Sequence, residues 1–380
     1  MSKSKSNKPT RGAVAFAAID PYLEQTVVLP TEKELPGQDR VSWGTGNRYP
    51  EYINELYESV PTLQTIINGS VDFVAGDDVS LTVRGQLLET VNHSGDTPRD
   101  AVREMALDVF KLGGFALQVI RNLAGDIADV YPIPMDYLRS NKDNTVFYYC
   151  EDWQKASRKD AVIYPRFRAF TQDEWARLAP EEKDRHASSI YYYKTVRRGT
   201  YPRPPFMAAT KDAEIERNVT DFHFNSLENG FNSSMIINFN NGIPEDEMKE
   251  EIEQDVNEKF SGHQNGMRIL LSWNPNKDSA TTFEVPKVED FGERYKALST
   301  HSRQQLFASF RAIPLLFGLV SEANTGFSTD EFDQSFKLYN RTAIRPVQRA
   351  IGDAFDKIYG EKNVLTITPF TLDGVEQNVS

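Results

Sequence analysis

Apolar positions recur at three- and four-residue intervals over four long stretches of this 380-residue chain, and each stretch carries its own start or stop signal. The first runs from about Pro50 to Ala75. Ile53, Leu56, Tyr57, Val60, Leu63, Ile67, Val71 and Val74 share a helical face, Gly76 follows as a stop, and Pro61 is expected to kink the helix or divide it in two. The second opens at Thr97 and Pro98, a cap with proline at the first helical position, and passes Val102, Leu107 and Phe110 to end on Gly113 and Gly114. The third starts near Glu289 and places Phe291, Tyr295, Leu298, Leu306 and Phe310 on one side. The fourth, capped by Ser328 or Thr329, carries Phe332, Phe336, Tyr339, Ala343, Val347, Ile351, Phe355 and Ile358 on its buried face and ends at Gly360. At 1.5 Å per residue it spans on the order of 40 Å, with a kink expected at Pro346.

Between the third and fourth stretches, Ile313 to Val320 breaks the pattern. Pro314 lacks an N–H and disfavours the helical conformation at Ile313, so the incoming helix should stop there. Leu315, Leu316, Phe317, Leu319 and Val320 then form an apolar loop, where loops are ordinarily polar. Such a loop needs a cover or something to touch, and a second copy of the chain is the expected cover.

Elsewhere the pattern shortens to strands. Phe115 to Ile120 and Ala128 to Ile133 flank a turn at Asn122 to Asp126 and read as a hairpin; Val146 to Cys150, Val162 to Tyr164 and Ile190 to Val196 follow, with a polar helix near Gln172 to Arg185. Residues 213 to 240 mix helix and loop signals. From Pro244 an acidic helix places Met248, Ile252, Val256 and Phe260 on one stripe, and strands are expected at Met267 to Trp273 and Thr281 to Val285, with a last one at Leu365 to Thr368. The fold class is α+β. Residues 1 to about 45, rich in Lys, Ser, Pro and Gly, read as a flexible arm.

Composition narrows the functions. The chain is 39% hydrophobic and 11% aromatic, as globular proteins are, and its net charge of -12 argues against general nucleic-acid wrapping. The one cysteine, Cys150, reads as a buried thiol and rules out an internal disulfide or a cysteine-based metal site. The N-terminus lacks the apolar core of a signal peptide, and no apolar run is long enough to span a bilayer. His93, His186, His223, His263 and His301 include no pair at three- or four-residue spacing, so no helical metal site is expected; His223, between Phe222 and Phe224, reads as a packing or interface residue. No phosphate-binding glycine loop, dinucleotide fingerprint or nucleophile elbow is present in the sequence, and neither a cofactor nor a catalytic residue is assigned. A hydrolase built on scattered carboxylates is the alternative.

Two basic runs could meet DNA or a partner. Lys194, Arg197, Arg198, Arg203 and Lys211 are interleaved with Tyr193, Tyr201 and Phe206, as stacking with phosphate contact requires; an ordinary charged loop is the competing reading. Arg294, Lys296, Arg303 and Arg311 precede the apolar loop, and Lys337, Arg341, Arg345 and Arg349 follow it. Pairing with acidic groups, within or between subunits, is the expected role of that second set. The acidic helix carries Glu250, Glu251, Glu253 and Asp255 on its solvated faces.

Read in order, these segments resemble the HK97-like family of phage portal proteins over about Tyr52 to Ile358. Gly114 to Ile120, then Gly125, then Tyr131 to Pro134 resemble the wing strands. Gly242 through the acidic helix to Gly262–Gly266 and the strand at Met267 resembles the clip. Phe310 to Gly318, then Asn324 to Gly326, Phe336 and Pro346 resemble the tunnel-loop region. The resemblance implies a wing over residues 46–212, a first stem segment over 213–240, a clip over 241–288 and a second stem helix over 289–312. A tunnel loop over 313–328, a long wing or crown helix over 329–360 and a C-terminal strand and tail over 361–380 complete it. It further implies a homo-oligomeric ring, a dodecamer, at the portal vertex of a virion, assembled in the host cytoplasm. Double-stranded DNA would pass without sequence specificity. Terminase large subunit, a head–tail adaptor and the major capsid protein would be partners, and no membrane is involved. Ile313, Leu315, Leu316, Phe317, Leu319, Val320 and Asn324 would face DNA, and Glu250, Glu251, Glu253 and Asp255 would dock partners. Another head–tail connector component is a further alternative, although such chains are usually shorter.

Overall fold

The computed structural model describes residues 28–35, 39–154, 161–228, 235–240, 242, 244–245, 248–249, 252, 269–274, 276, 291–319 and 329–370. These fall into two units, one within Val27–Arg217 and Ser299–Ser380 and a smaller one within Asn218–Leu298.

The larger unit is organised around three helices. α1 (Tyr49–Ser59) and α2 (Pro61–Ala75) are separate because Val60, ahead of Pro61, takes the extended conformation that a residue before proline prefers. α3 (Pro98–Leu112) begins with a capping box in which Thr97 accepts from the Asp100 N–H and Asp100 accepts from the Thr97 N–H at 3.0 Å. These bonds hold the Asp100 carboxyl below its ordinary range. The helix ends on left-handed Gly113 (φ 88°), where a Cβ would lie 2.0 Å from the Arg203 carbonyl oxygen, so only glycine fits.

From Gly113 the chain enters β5 (Gly114–Arg121), the centre of an antiparallel sheet with β6 (Ile127–Ile133) and β10 (Ser188–Lys194). The register pairs Gly114 with Lys194 and Ala116 with Ile133. A second sheet holds β7 (Leu138–Ser140), β8 (Val146–Tyr149) and β9 (Val162–Pro165). The polar helix expected near residues 172–185 is two, α4 (Gln172–Arg177) and α5 (Pro180–Ala187), divided at Pro180. Ile53, Leu56, Leu63, Ile66, Val102, Met105, Phe115 and Leu117 form the core between helices and strands.

The C-terminal region closes this core. α7 (Phe291–Phe310) is followed by α8 (Thr329–Tyr339), a π turn at Asn340–Ile344 and α9 (Arg345–Tyr359). The kink expected at Pro346 is therefore a π turn ahead of it; Pro346 occupies the first turn of α9, where its missing N–H is tolerated. β13 (Leu365–Thr368) then joins β3 (Asp78–Val83) antiparallel, pairing Leu365 with Leu81, and β4 (Gln86–Leu88) flanks β3 on the other side.

The arm ends earlier than its composition predicts. β1 (Glu32–Glu34) pairs antiparallel with β2 (Val41–Trp43), and Val41 and Trp43 are core residues. Trp43 stacks on Tyr201 at 4.4 Å, and the Arg139 guanidinium lies 5.7 Å from its ring. Arg139 is buried; it donates to Asn47 Oδ1 at 2.6 Å and to the Asp136 carbonyl at 2.7 Å, and burial pulls its pKa down to about 10. Strands of three residues are too short to show a period, and the partners of Trp43 lie far along the chain.

In the smaller unit α6 (Thr210–Glu228) enters from the larger one, and Phe222 stacks on Tyr295 of α7 at 5.0 Å, with His223 5.6 Å from the same ring. β11 (Met235–Phe239), unrecognised in the sequence, pairs in parallel with β12 (Ile269–Trp273), and Phe239 stacks on Trp273 at 4.4 Å. Met248, expected on a buried stripe, is exposed; Val256, Phe260 and the strand expected at Thr281–Val285 lie outside the described residues.

Replacing Trp43 by Ala should cost about 3–5 kcal/mol in urea unfolding, the usual loss for truncating a buried aromatic. A flexible arm would lose nothing measurable at this position.

Candidate functional site

The second half of α7 is fixed by Ser302, Leu306, Phe307 and Phe310, all buried; Phe310 stacks on Phe206 at 5.3 Å. The helix stops at Phe310, three residues before the position that Pro314 predicts. Arg311 adopts a left-handed conformation (φ 56°), and the Ala312 N–H donates to the Phe307 carbonyl at 2.9 Å, closing the helix in the Schellman manner. Ile313 is extended, as its place before proline requires. Pro314–Phe317 then forms a single 3-10 turn closed by Gly318 at φ 76°.

This turn divides its own apolar side chains. Ile313, Leu316 and Phe317 pack against the core, whereas Leu319 is 37% exposed and Leu315 is half-buried. Phe317 is the anchor. Its ring lies 5.7 Å from Phe307, 5.7 Å from Tyr339 and 6.1 Å from Phe73, edge-on in each case. It rests over Gly69 of α2, where a Cβ would sit 2.7 Å from Phe317 Cε1. A helix-interior glycine is ordinarily a defect; here it is the notch that admits the ring. Tyr339 shares a hydrogen bond of 2.6 Å with the Ser70 hydroxyl, and burial pushes its pKa up to about 12. The cover expected from a second copy is thus supplied, for these three residues, by the chain's own α2, α7 and α8. Sequence periodicity could not show this, because the notch and the ring are far apart in the chain. Val320 and Asn324 lie outside the described residues, as do Glu250, Glu251, Glu253 and Asp255.

The basic run around residues 194–211 does not offer its aromatics to a ligand. Tyr201 and Phe206 are core residues, and Tyr201 donates to the Val41 carbonyl at 2.5 Å while accepting from the Ser140 N–H at 3.0 Å. Lys194 is spent internally on Asn144 Oδ1 at 3.0 Å and on the Gly199 carbonyl, and burial lowers its pKa. Arg197, Arg198 and Lys211 are exposed and Arg203 is half-buried, so the run reduces to surface cations without a stacking platform. The base of α6 is instead fixed by a buried polar cluster: Glu216 accepts from the Thr62 hydroxyl at 2.6 Å, and Glu214 from Arg217 at 2.5 Å.

Two clefts in the larger unit are lined by charged side chains. One of about 480 Å³ holds Arg84, Asn92, Tyr359 and the His93–Asp129 pair; the other, of about 460 Å³, lies along α3 beside Pro132 and Pro134. Among the described residues, no group of three metal-ligating side chains occurs, and no helix is long and apolar enough to cross a membrane. Cys150, expected to be buried, is half-buried just past β8 and donates weakly to the Asp152 carbonyl at 3.5 Å.

No protein-family model matches the chain, and no curated protein does. Solved structures do resemble it. A chain from the neck of an empty GTA particle superposes with a TM-score of 0.49 at 12% identity, over 86% of each chain. A chain from the virion of a native gene transfer agent particle gives 0.49 at 13% identity, over 85% of this chain and 84% of that one. An HK97 family phage portal protein from Corynebacterium diphtheriae gives 0.46 at 13% identity, over 80% and 89%. Likenesses of this size leave the role of the chain to its own residues.

Gly69→Ala should behave oppositely in two backgrounds. In the native chain the added methyl displaces Phe317 and destabilises by about 1–3 kcal/mol; with Phe317→Ala in place it should stabilise by roughly 0.5–1 kcal/mol, the ordinary helix gain. Thermal unfolding of the four proteins reads the cycle. Tyr339 sets a second expectation. Its folded pKa of about 12 lies above its ordinary value near 10, so the stability it contributes is complete below pH 10 and is lost as pH rises towards 12. Tyr339→Phe should flatten that alkaline decline in a pH series of melting temperatures.

Proposed function

We propose that this protein is a ring-forming portal, a conduit for double-stranded DNA at one vertex of a capsid, with no catalysis of its own. The observation that carries this reading is the apolar turn at Pro314–Phe317. It follows the end of α7 and precedes α8, it is locked from within by Phe317, and it leaves Leu315 half-buried and Leu319 exposed. A small apolar projection on a fixed base, repeated around a ring, would narrow a passage and meet DNA by shape, without reading bases. The net charge of -12 suits the same task, since an excess of carboxylates keeps phosphates from binding so tightly that movement stalls. The order of segments that resembles the portal family supports the reading as well.

On this reading Leu315 and Leu319, with Val320 and Asn324, are the tunnel-facing set, while Ile313, Leu316 and Phe317 hold the turn in place. The clip over residues 241–288, with Glu250, Glu251, Glu253 and Asp255, docks terminase and then a head–tail adaptor, and the major capsid protein surrounds the ring. Arg197, Arg198, Arg203 and Lys211 contact a partner rather than stack on bases, because Tyr201 and Phe206 are buried and Tyr193 is stacked on Phe115.

Electron micrographs of purified protein should show rings. Leu315→Asp combined with Leu319→Asp should leave those rings and the melting temperature unchanged while reducing packaged or retained DNA at least tenfold. Phe317→Asp should instead lower the melting temperature, because it places a charge in the aromatic cluster. Protein that stays monomeric at every concentration would overturn the proposal.

A further inference from the structure

The larger unit carries two complementary stripes of charge, each repeating every four residues. Lys337, Arg341, Arg345 and Arg349 run along α8, the π turn and α9, and all four are exposed. Among the described residues no carboxylate lies within 4 Å of any of them. Asp333 and Asp353 stand four residues beyond the two ends, which leaves Arg341 and Arg345 with cations on both sides along the helix. Like charges at this spacing repel.

The opposite pattern lies on α3. Asp100, Glu104 and Asp108 of α3, with Asp96 just ahead of its cap, line the 460 Å³ cleft together with Met105, Ala116 and Pro132–Pro134; Asp96 also accepts from the Asn92 amide at 2.7 Å, Asp100 caps the helix, and Asp108 accepts from the Met135 N–H at 3.0 Å. The basic residues of the same helix make their closest contacts outside the cleft, Arg103 with Asp72 at 2.6 Å, Arg99 with the Gly76 and Asp77 carbonyls and Lys111 over the Tyr57 ring, although Arg99 and Arg103 still act on Asp100 and Lys111 on Asp108. Asp108 is pushed well above the ordinary carboxyl range, chiefly by burial, so it favours the neutral acid in the free protomer, and the negative charge of the cleft rests on Asp96, Asp100 and Glu104. Beside the basic stripe Leu338 is 57% exposed, an apolar side chain of a size to meet the apolar residues of that cleft.

We infer that the basic stripe of one copy docks into the acidic cleft of the next. The occupant is a second copy because both halves of the contact are on the one chain, with the same four-residue pitch and opposite charge. Two different patches that complement each other make a head-to-tail contact, the kind that closes into a ring when the rotation allows. The inference rests on the ring-forming reading above and adds which surfaces meet.

Arg341→Glu with Arg345→Glu reverses the centre of one stripe, and Glu104→Lys reverses an exposed position of the other; none is a core residue. Analytical ultracentrifugation at low salt should show the native protein assembled and each reversed protein dissociated, with association weakened by roughly 100-fold or more. Combining the three substitutions in one chain, or mixing the two reversed proteins, should restore assembly. Circular dichroism should stay unchanged throughout. Native rings that survive both reversals would overturn this contact and leave the ring-forming reading intact, whereas a native protein that never assembles would overturn both. Rings that survive with loss of binding to a random 50-base-pair duplex would show that the stripe meets DNA instead.

Discussion

The fit of one phenylalanine ring over one glycine sets the position of everything around the apolar turn. Phe317 reaches Gly69 because α2 lacks a side chain there, and in doing so it brings together Phe73, Phe307 and Tyr339. Phe73 extends the cluster to Phe336 at 5.7 Å and to Phe370 at 5.3 Å. Four stretches that are remote in sequence therefore meet at one aromatic site: α2, the end of α7, α8 and the segment after β13. Edge-on aromatic contacts have directional preference as well as area, so the turn has a defined place rather than a range of them.

Much of the fold was legible because it is written in local chemistry. Pro61 divides two helices, Thr97 and Asp100 start a third, Gly113 ends it and Asn122 to Asp126 turns a hairpin; each depends on neighbours within a few residues. What the sequence hid depends on distant partners. The stop at Arg311 comes from a left-handed residue and a backbone bond back to Phe307, and arginine carries no signal for that conformation. The π turn absorbs Pro346 in place of a simple kink. Trp43 looked like part of a loose arm because its stacking partner, Tyr201, lies far along the chain. The same pair shows why the basic run was misleading: Tyr201 among arginines has the pattern of a stacking platform, and only its burial shows that it belongs to the core.

The candidate site was half legible for the same reason. An apolar segment held out of a helix by proline and glycine is visible in one dimension, and it correctly marks a place where solvent is not the expected neighbour. Which of its residues turn inward depends on the notch at Gly69. A glycine inside a helix costs stability and invites explanation, so it was the one signal that could have pointed to a close approach. It could not have named Phe317 as the ring that arrives.

Charge follows a related logic. The chain is acidic overall, yet four of its exposed cations, Lys337, Arg341, Arg345 and Arg349, stand at four-residue spacing on the helices after the turn, away from the face that buries Tyr339, Val347 and Ile351. A folded chain has no reason of its own to line up like charges, because each added neighbour raises the repulsion along the helix. On α3 the carboxyls of Asp100, Glu104 and Asp108 share that spacing, although Asp100 is held by the capping box and Asp108 favours its neutral form. On the inferred contact, the repulsion within each protomer would be offset by attraction between copies, which would balance this charge pattern in the assembly rather than in the isolated chain.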